Sequence, residues 1–429
     1  MAPFRAINIG AGPVGLALAN IFNAAGLDFV ILERYHDIMK DSGAGIMLWP
    51  HTTRVFDQLG LTELCDRNRI LLKSKICLDH LGRQVSNDPA FDWIEENHGY
   101  PVMEFSRSSL TKILLEGIEE HKARIKTSIS IRDINMDEKE VRVYLQDGTV
   151  ETGTIAIGCD GVHSQTRDIM QRLAVADGIR IESNPTSILY KCIYGTAKSV
   201  PAVLNGVFWE SHSSRLATQF ASSPEHAYFT VFERLHQPVD EPHVFTGEDA
   251  DNYMEEIGES FLTDRLKVKD IKPYCTWKRL AYQPQGLFPN WYHGRIVLCG
   301  DSVIQMTSSI GLNFNAAFQT AVVLANKLYI ASQGSEGVDT LEAITRIFME
   351  YEDVCKKEMR PVSELAVHHA RAITWGSWVE WILIEYIIPW IWGEKGMMRK
   401  IGEGIISKGR KLVFVHHEDK AGKIPWGNH

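Results

Sequence analysis

The chain lacks paired cysteines. Its seven thiols, Cys65, Cys77, Cys159, Cys192, Cys275, Cys299 and Cys355, form no CxxC motif and keep no regular spacing. An odd, scattered set excludes a disulfide framework and reads as small core residues of a protein kept in a reducing, cytoplasmic compartment. An excess of positive charge is also missing. There are 45 Lys and Arg against 54 Asp and Glu, a formal charge of −9 and a pI near 6.0, which argues against a nucleic-acid partner. The histidine pairs His368-His369 and His416-His417 have no partners at metal-ligand spacing, so no metal is expected. A first strand beginning near Arg5 leaves no length for a secretory leader. There is no internal repeat and no low-complexity stretch.

A long unbroken apolar run is absent as well. The segment from Trp375 to Trp392 comes nearest, but Glu380, Glu385 and Pro389 interrupt it and argue against a bilayer-spanning helix. Two readings stay open for it. One is a buried C-terminal helix lining a hydrophobic substrate cavity. The other is a peripheral membrane anchor, since Trp and Tyr favour the headgroup region and Arg399, Lys400, Lys408, Arg410 and Lys411 follow.

What is present is the composition of an ordinary folded enzyme, 45% hydrophobic and 23% charged. Its 429 residues suit two to three domains, or one α/β core with an insert. The opening alternates strand, helix and strand over Arg5–Ile9, Pro13–Ala25 and Phe29–Leu32, the seed of a doubly wound parallel sheet. Ser106 is placed to cap a helix carrying Leu110, Ile113, Leu114 and Ile118 on one face. Gln146-Asp147-Gly148-Thr149 is a hairpin turn. From about Ile181 to Tyr292 short β-rich runs dominate, and two helices, Thr340–Lys357 and Ser363–Ala372, are expected later. The expected fold class is α/β: a Rossmann-like domain over 1–180, an inserted, mainly antiparallel β-sheet substrate domain over 181–292, a return to the first domain over 293–335, and a helical C-terminus over 336–429.

The chemistry-bearing residues begin with Gly10, Gly12 and Gly15 in the order G-x-G-x-x-G between a strand and a helix. Such glycines give a tight turn, let a pyrophosphate approach the backbone, and let helix pack on strand. The helix N-terminus then offers unpaired N–H groups to the phosphates. Glu33, at the end of the second strand, is placed to accept hydrogen bonds from ribose hydroxyls.

Five further stretches fall in a telling order: Gly43-Ala44-Gly45-Ile46-Met47-Leu48-Trp49-Pro50, Arg107 within Phe105-Ser106-Arg107-Ser108-Ser109-Leu110, Cys159-Asp160-Gly161-Val162-His163-Ser164, Gly300-Asp301, and the tail Ile424-Pro425-Trp426. With them the chain resembles the FAD-dependent aromatic-hydroxylase-like monooxygenases, most of all their fungal branch of paxilline-type and meroterpenoid epoxidases. The resemblance spans essentially the whole chain. It implies that Glu33 holds the adenosine ribose, Arg107 the phosphate and ribityl region, and Asp301 the ribityl chain. Asp160 with Gly161 would brace the pyrophosphate site and serve a transient NAD(P)H. Carboxylates suit hydroxyl donors and a guanidinium suits phosphate oxygens.

The same resemblance exposes departures. Ile304 stands where the family commonly has histidine, Ser308 where it has proline, and Gly311-Leu312-Asn313-Phe314 where it reads Gly-Gln-Gly-Ala. Met47 occupies a position that is often small, and Lys191 stands where the fungal branch tends to have arginine facing substrate and flavin. All but Lys191 sit on the isoalloxazine side, where the ring must lie against bare backbone, so Met47 and Phe314 are expected to touch or fill the ring slot. Lys191 is the candidate catalytic residue. The expected activity is oxygenation, by epoxidation or hydroxylation, of a large hydrophobic terpenoid, prenylated aromatic or alkaloid with bound FAD. The alternative is an isomerase, cyclase or lyase that kept the fold and lost flavin chemistry.

Overall fold

The computed structural model describes residues 4–39, 45–181, 186–198, 200, 203–240, 242–334, 337–382 and 393–428. Gly43 and Ala44 of the second motif, and the 383–392 part of the Trp-rich segment, lie outside them.

The first strand, Arg5–Ile9, is buried at four of its five positions, as a central strand covered on both faces is. It lies in a six-stranded sheet between Asp28–Leu32 and Ile155–Gly158, both parallel to it; Ile296–Leu298 continues the sheet in parallel and Tyr292–His293 closes that edge antiparallel. The helix Pro13–Ala25 starts with Pro in its first turn and ends on Gly26 in the left-handed region. The helix Asn313–Gln333, buried through most of its length, packs beside it. Ser106 caps the helix Arg107–Glu116, its side chain accepting from the Ser109 N–H, as expected. Val141–Leu145 and Val150–Gly153 form the hairpin on either side of Gly148.

The inserted sheet has eight strands and reaches beyond the 181–292 stretch. Its order is Ile304–Gln305, Cys275–Leu287, Ser187–Lys198, His226–Arg234, Leu216–Ser222, Val207–His212, Ser74–Leu78 and Gln84–Asp88. The last two come from early in the chain, and Ser74–Leu78 pairs parallel with Val207–His212. One face carries Ile76, Leu78, Ile193, Trp209, Phe220 and Val231, and packs under helices Gly247–Glu256 and Val268–Ile271. The other turns toward the nucleotide-binding half and a long C-terminal helix. A small sheet, Gly45–Leu48, Met103–Ser106 and Ile70–Leu71, fills the corner between the halves.

The two helices expected over 340–372 are one, Leu341–Ile373, running through Pro361. Proline removes one helical hydrogen bond. The apolar stripe Ile344, Tyr351, Cys355, Met359, Val362 and Ala366 nonetheless passes through it unbroken and buried, so packing overrides the local break. Beyond it, Trp378–Ile382 is a short helix with no buried residue, and Trp378 is 73% exposed. That part of the Trp-rich segment is not a buried helix. No helix among the described residues is long and apolar enough to cross a membrane.

Candidate active site

The glycine turn is built for close approach. Gly10 has φ +106, and a side chain there would start 2.7 Å from the Cys159 carbonyl oxygen; one at Gly15 would collide with the Gly10 carbonyl. Both exclusions let the first strand, the first helix and the Gly158-Cys159 strand end meet without gaps. Gly12 is the cap residue of the helix, with no side chain satisfying its first-turn N–H groups, so the positive end of the helix is left open to an anion. Arg107 reaches it: one terminal guanidinium nitrogen lies 3.8 Å from where a Gly12 side chain would begin.

Glu33 is buried at the neighbouring strand end. Its carboxylate accepts the Ala11 N–H at 2.7 Å and the Tyr35 N–H at 2.8 Å, which fixes its orientation and leaves lone pairs for a further donor. Asp301 follows Gly300, which abuts Val14 of the first helix. Burial raises the Asp301 carboxyl above its usual value, and the Arg107 charge pulls it partly back. The structure thus brings Gly10, Gly12, Gly15, Glu33, Arg107 and Asp301 to one groove. Asp160 faces another way. Its oxygens accept from the Ser164 hydroxyl and, at 2.9 Å, from both the N–H and the hydroxyl of Thr166, so it ties down the start of helix Gln165–Ala176. It braces the groove only through the Cys159-Asp160 backbone packed on Gly10.

A cavity of about 50 Å³ opens between the corner sheet, the inserted sheet and the Ser308–Asn313 loop. Its wall includes Met47, Glu104, Tyr194, Phe208, Gln219, Tyr228 and Asn313. Met47 stands where it was expected. Leu312 and Phe314 do not: both belong to the main core, Phe314 stacking on Phe318 with ring centroids 5.9 Å apart. The expectation that they fill the slot is corrected, because the helix starting at Asn313 turns them inward. What the loop presents to the cavity is Ser308, Gly311 and Asn313. Gly311 has φ +65, and a side chain there would meet Met47 Cβ at 2.9 Å. Asn315 locks the two segments, donating to the carbonyls of Met47 and Gly311 at 2.8 Å each and accepting the Trp49 N–H at 2.9 Å.

Lys191 is not brought to this cavity. Side chains alternate along a strand. Tyr194 turns to the cavity, where it and Ser308 are joined by Gln283. Lys191, three residues earlier, points to the opposite face, pairs with Glu233 at 2.8 Å and lies over the Tyr253 ring at 4.1 Å. The proposed catalytic lysine is therefore a structural ion pair under the helix Gly247–Glu256.

Sequence reasoning missed the polar groups on the correct face. Gln219 lines the cavity and bonds both Glu210, at 2.8 Å, and the Ser309 carbonyl. Glu210 is buried and shared by Lys75 at 2.9 Å and His212 at 3.0 Å. Cys77, Glu210 and His212 come within metal-ligand reach of one another, but the Lys75 ammonium already neutralises Glu210. Glu104, in the corner sheet, was missed altogether. The available signal was the strand period, which places residues on faces but does not say which face meets which.

Comparison with known proteins agrees with this geometry. A family model described as FAD binding domain matches residues 5–348. The FAD-dependent monooxygenase srdH of Neurospora crassa is 30% identical, over 99% of this chain and 98% of that protein. The FAD-dependent monooxygenase ausM of Penicillium brasilianum is 25% identical, over 90% and 82%. Among solved structures, HpxO of Klebsiella pneumoniae complexed with FAD and uric acid superposes with a TM-score of 0.74 at 18% identity, covering 93% of this chain and 96% of that one. The 2,6-dihydroxypyridine-3-hydroxylase of Arthrobacter nicotinovorans gives 0.68 at 17%, covering 88% and 94%. At these identities the two structures speak for the fold.

Proposed function

The chain belongs to the FAD-binding-domain family and is an FAD-dependent monooxygenase, and we propose that its substrate is a large apolar molecule of secondary metabolism: a terpenoid, a prenylated aromatic or an alkaloid. The observation that carries the proposal is the aromatic wall of the cavity between the corner sheet and the inserted sheet, formed by Tyr194, Phe208, Phe220, Tyr228 and Phe229. The residues of the groove fit FAD, since an open helix N-terminus and a guanidinium suit a pyrophosphate, and the buried Glu33 and partly exposed Asp301 carboxyls suit ribose and ribityl hydroxyls. Glu33 would take the ribose, Arg107 the phosphates and Asp301 the ribityl chain. When bound, FAD supplies the activation of oxygen, with NAD(P)H as the transient source of electrons.

The chain's own side chains bind, orient and exclude water. Phe208, Tyr228 and Tyr194 offer apolar surface, and burying it supplies about 25 cal/mol per Å² before ordering costs. The Gln283–Tyr194–Ser308 cluster gives that wall a polar end. A peripheral contact with a bilayer is supported by the exposure of Trp378 and, beside it, Val379. All seven cysteines are free, which suits a reducing compartment.

The test combines colour and mass. Purified protein should be yellow, and a candidate terpenoid should gain one oxygen only when NAD(P)H and oxygen are both supplied. An isomeric product formed anaerobically without either would replace this reading with the redox-neutral alternative. In a competition assay, small phenolic acids should be turned over poorly; their being the best substrates would overturn the substrate class.

A further inference from the structure

Glu104 is a carboxyl group where a strand would ordinarily carry an apolar residue. It sits in Met103–Ser106, opposite Met47 on one side and Ile70 on the other, and is only 7% exposed. The Gly45 backbone presses against one of its oxygens, leaving 2.5 Å where a side chain would start. The other oxygen, Oε2, is buried with no hydrogen-bond partner among the described residues. Glu104 lines the cavity described above, opposite Tyr228 and the Gly311–Asn313 loop. Among the described residues no cation pairs with it there, and the titratable groups lining the cavity with it are phenols. Tyr228, on the inserted sheet, is itself pushed up to about 12 by burial, with Glu104 adding to the shift, and it bonds to Ser106. Tyr194 is raised in the same direction by burial.

An unpaired buried carboxylate costs several kcal/mol, and even an unpaired neutral polar group costs about 1–3 kcal/mol. A fold keeps such a group at a cavity wall when something that enters the cavity satisfies it. We propose that Glu104 is the hydrogen-bond donor of the active cavity, engaging an acceptor oxygen (carbonyl, ether or hydroxyl) on an otherwise apolar substrate.

The proposal rests on the substrate class inferred above and sharpens it: a pure hydrocarbon would leave Glu104 unsatisfied, and an anionic group would repel its ionised form. Burial pushes the carboxyl up to about 8, so near neutral pH it carries a proton on the oxygen that has no partner. Donor capacity is therefore present below about pH 8 and lost above it. No bond is made or broken in this contact; the proton stays on the carboxyl and is shared with the substrate oxygen.

Two arms test it on the full chain, with FAD bound where it is retained. The first is infrared difference spectroscopy between mildly acidic and alkaline buffer, comparing wild type with Glu104→Gln. A protonated-carboxyl band should titrate near pH 8 and be missing from the variant. This arm uses no substrate, so it stands even if the monooxygenase reading falls. The second measures binding of farnesol against farnesane, by quenching of protein fluorescence. Wild type should prefer farnesol by on the order of tenfold at pH 7. It should lose that preference at alkaline pH. Glu104→Gln, whose amide N–H still donates, should keep the preference at both pH values, and Glu104→Leu should lack it at both.

No titrating band would overturn the proposal, and so would a farnesol preference with the same pH profile in all three proteins. A fall in FAD affinity in Glu104→Leu with the farnesol preference intact would also overturn it, by assigning the contact to the cofactor. Failure of the separate oxygen-incorporation assay, with both arms positive, would instead remove the redox reading and leave Glu104 as the donor of a different enzyme.

Discussion

Replacing Lys75 by methionine tests how the active face of the inserted sheet is held. Lys75 is 8% exposed at its side chain and faces Glu210 at 2.9 Å and Glu394 at 3.3 Å. At an effective dielectric of about 20, the nearer pair attracts by about 6 kcal/mol before the cost of burying both charges. Removing one partner of such a pair leaves the other charge buried and typically costs about 3–5 kcal/mol. Burial alone would raise the Glu210 carboxyl, but Lys75, His369 and His212 outweigh it and hold it well below the usual range. In wild type this contribution is present above the unfolded value near 4.5 and lost as pH falls through the depressed folded one. Without Lys75, burial dominates and Glu210 moves up, so the folded variant takes up a proton more readily than the unfolded chain. Its deficit should be largest near pH 7.5 and shrink toward pH 5. Urea unfolding followed by circular dichroism at the two pH values measures this, with Lys75→Met/Glu210→Gln completing the cycle. The double variant should recover at least about 2 kcal/mol of the single loss. A loss under about 1 kcal/mol that is the same at both pH values would refute the reasoning.

Glu33→Ala should weaken FAD retention by about 1–3 kcal/mol, read as a raised dissociation constant, while free Ala11 and Tyr35 N–H groups bind water. Phe314→Ala should cost about 3–5 kcal/mol of stability in chemical denaturation, because Phe314 is a core residue stacked on Phe318. Lys191→Met should leave the turnover of folded enzyme within a few-fold of wild type while lowering stability, since its buried partner Glu233 is left with Arg215 as its remaining ion-pair partner; a loss of activity at unchanged stability would return Lys191 to the active site.

The parts of the fold that were legible in the sequence are those whose signal is local. The glycine turn, the helix it opens, the Ser106 cap and the Gly148 hairpin each depend on a few neighbouring residues, and each is where the sequence puts it. The parts that were not legible depend on what meets what. Ser74–Leu78 gives no hint that, with Gln84–Asp88, it will extend a sheet whose remaining strands begin more than a hundred residues later. Pro361 reads as a helix boundary until the buried stripe on either side of it is seen to be continuous. Lys191 is the candidate by sequence, while Tyr194, three residues on, is the one that reaches the cavity, and only the sheet's two faces separate them. Glu104 reads as an exposed strand residue because a charged side chain is rarely buried without a partner.

The departures on the isoalloxazine side look different once their direction is known. A flavin ring needs bare backbone against one face, and a bulky residue at a nearby sequence position opposes that only if its side chain points the same way. The loop meets the cavity with Ser308, Gly311 and Asn313, while Leu312 and Phe314 turn into the core and anchor the start of the helix Asn313–Gln333. Asn315 then holds the Gly311 and Met47 carbonyls together, so the substituted loop is braced rather than degraded. Met47 keeps its side chain at the cavity, against a Gly311 that could not be anything larger. A single flexible thioether is the least rigid way to occupy such a wall. Leu312 and Phe314, in place of the family's Gln and Ala, therefore strengthen packing behind the site, and the loop substitutions that reach the cavity wall are the short side chains of Ser308 and Asn313, which is why the loop sequence and the many FAD motifs are compatible in one chain.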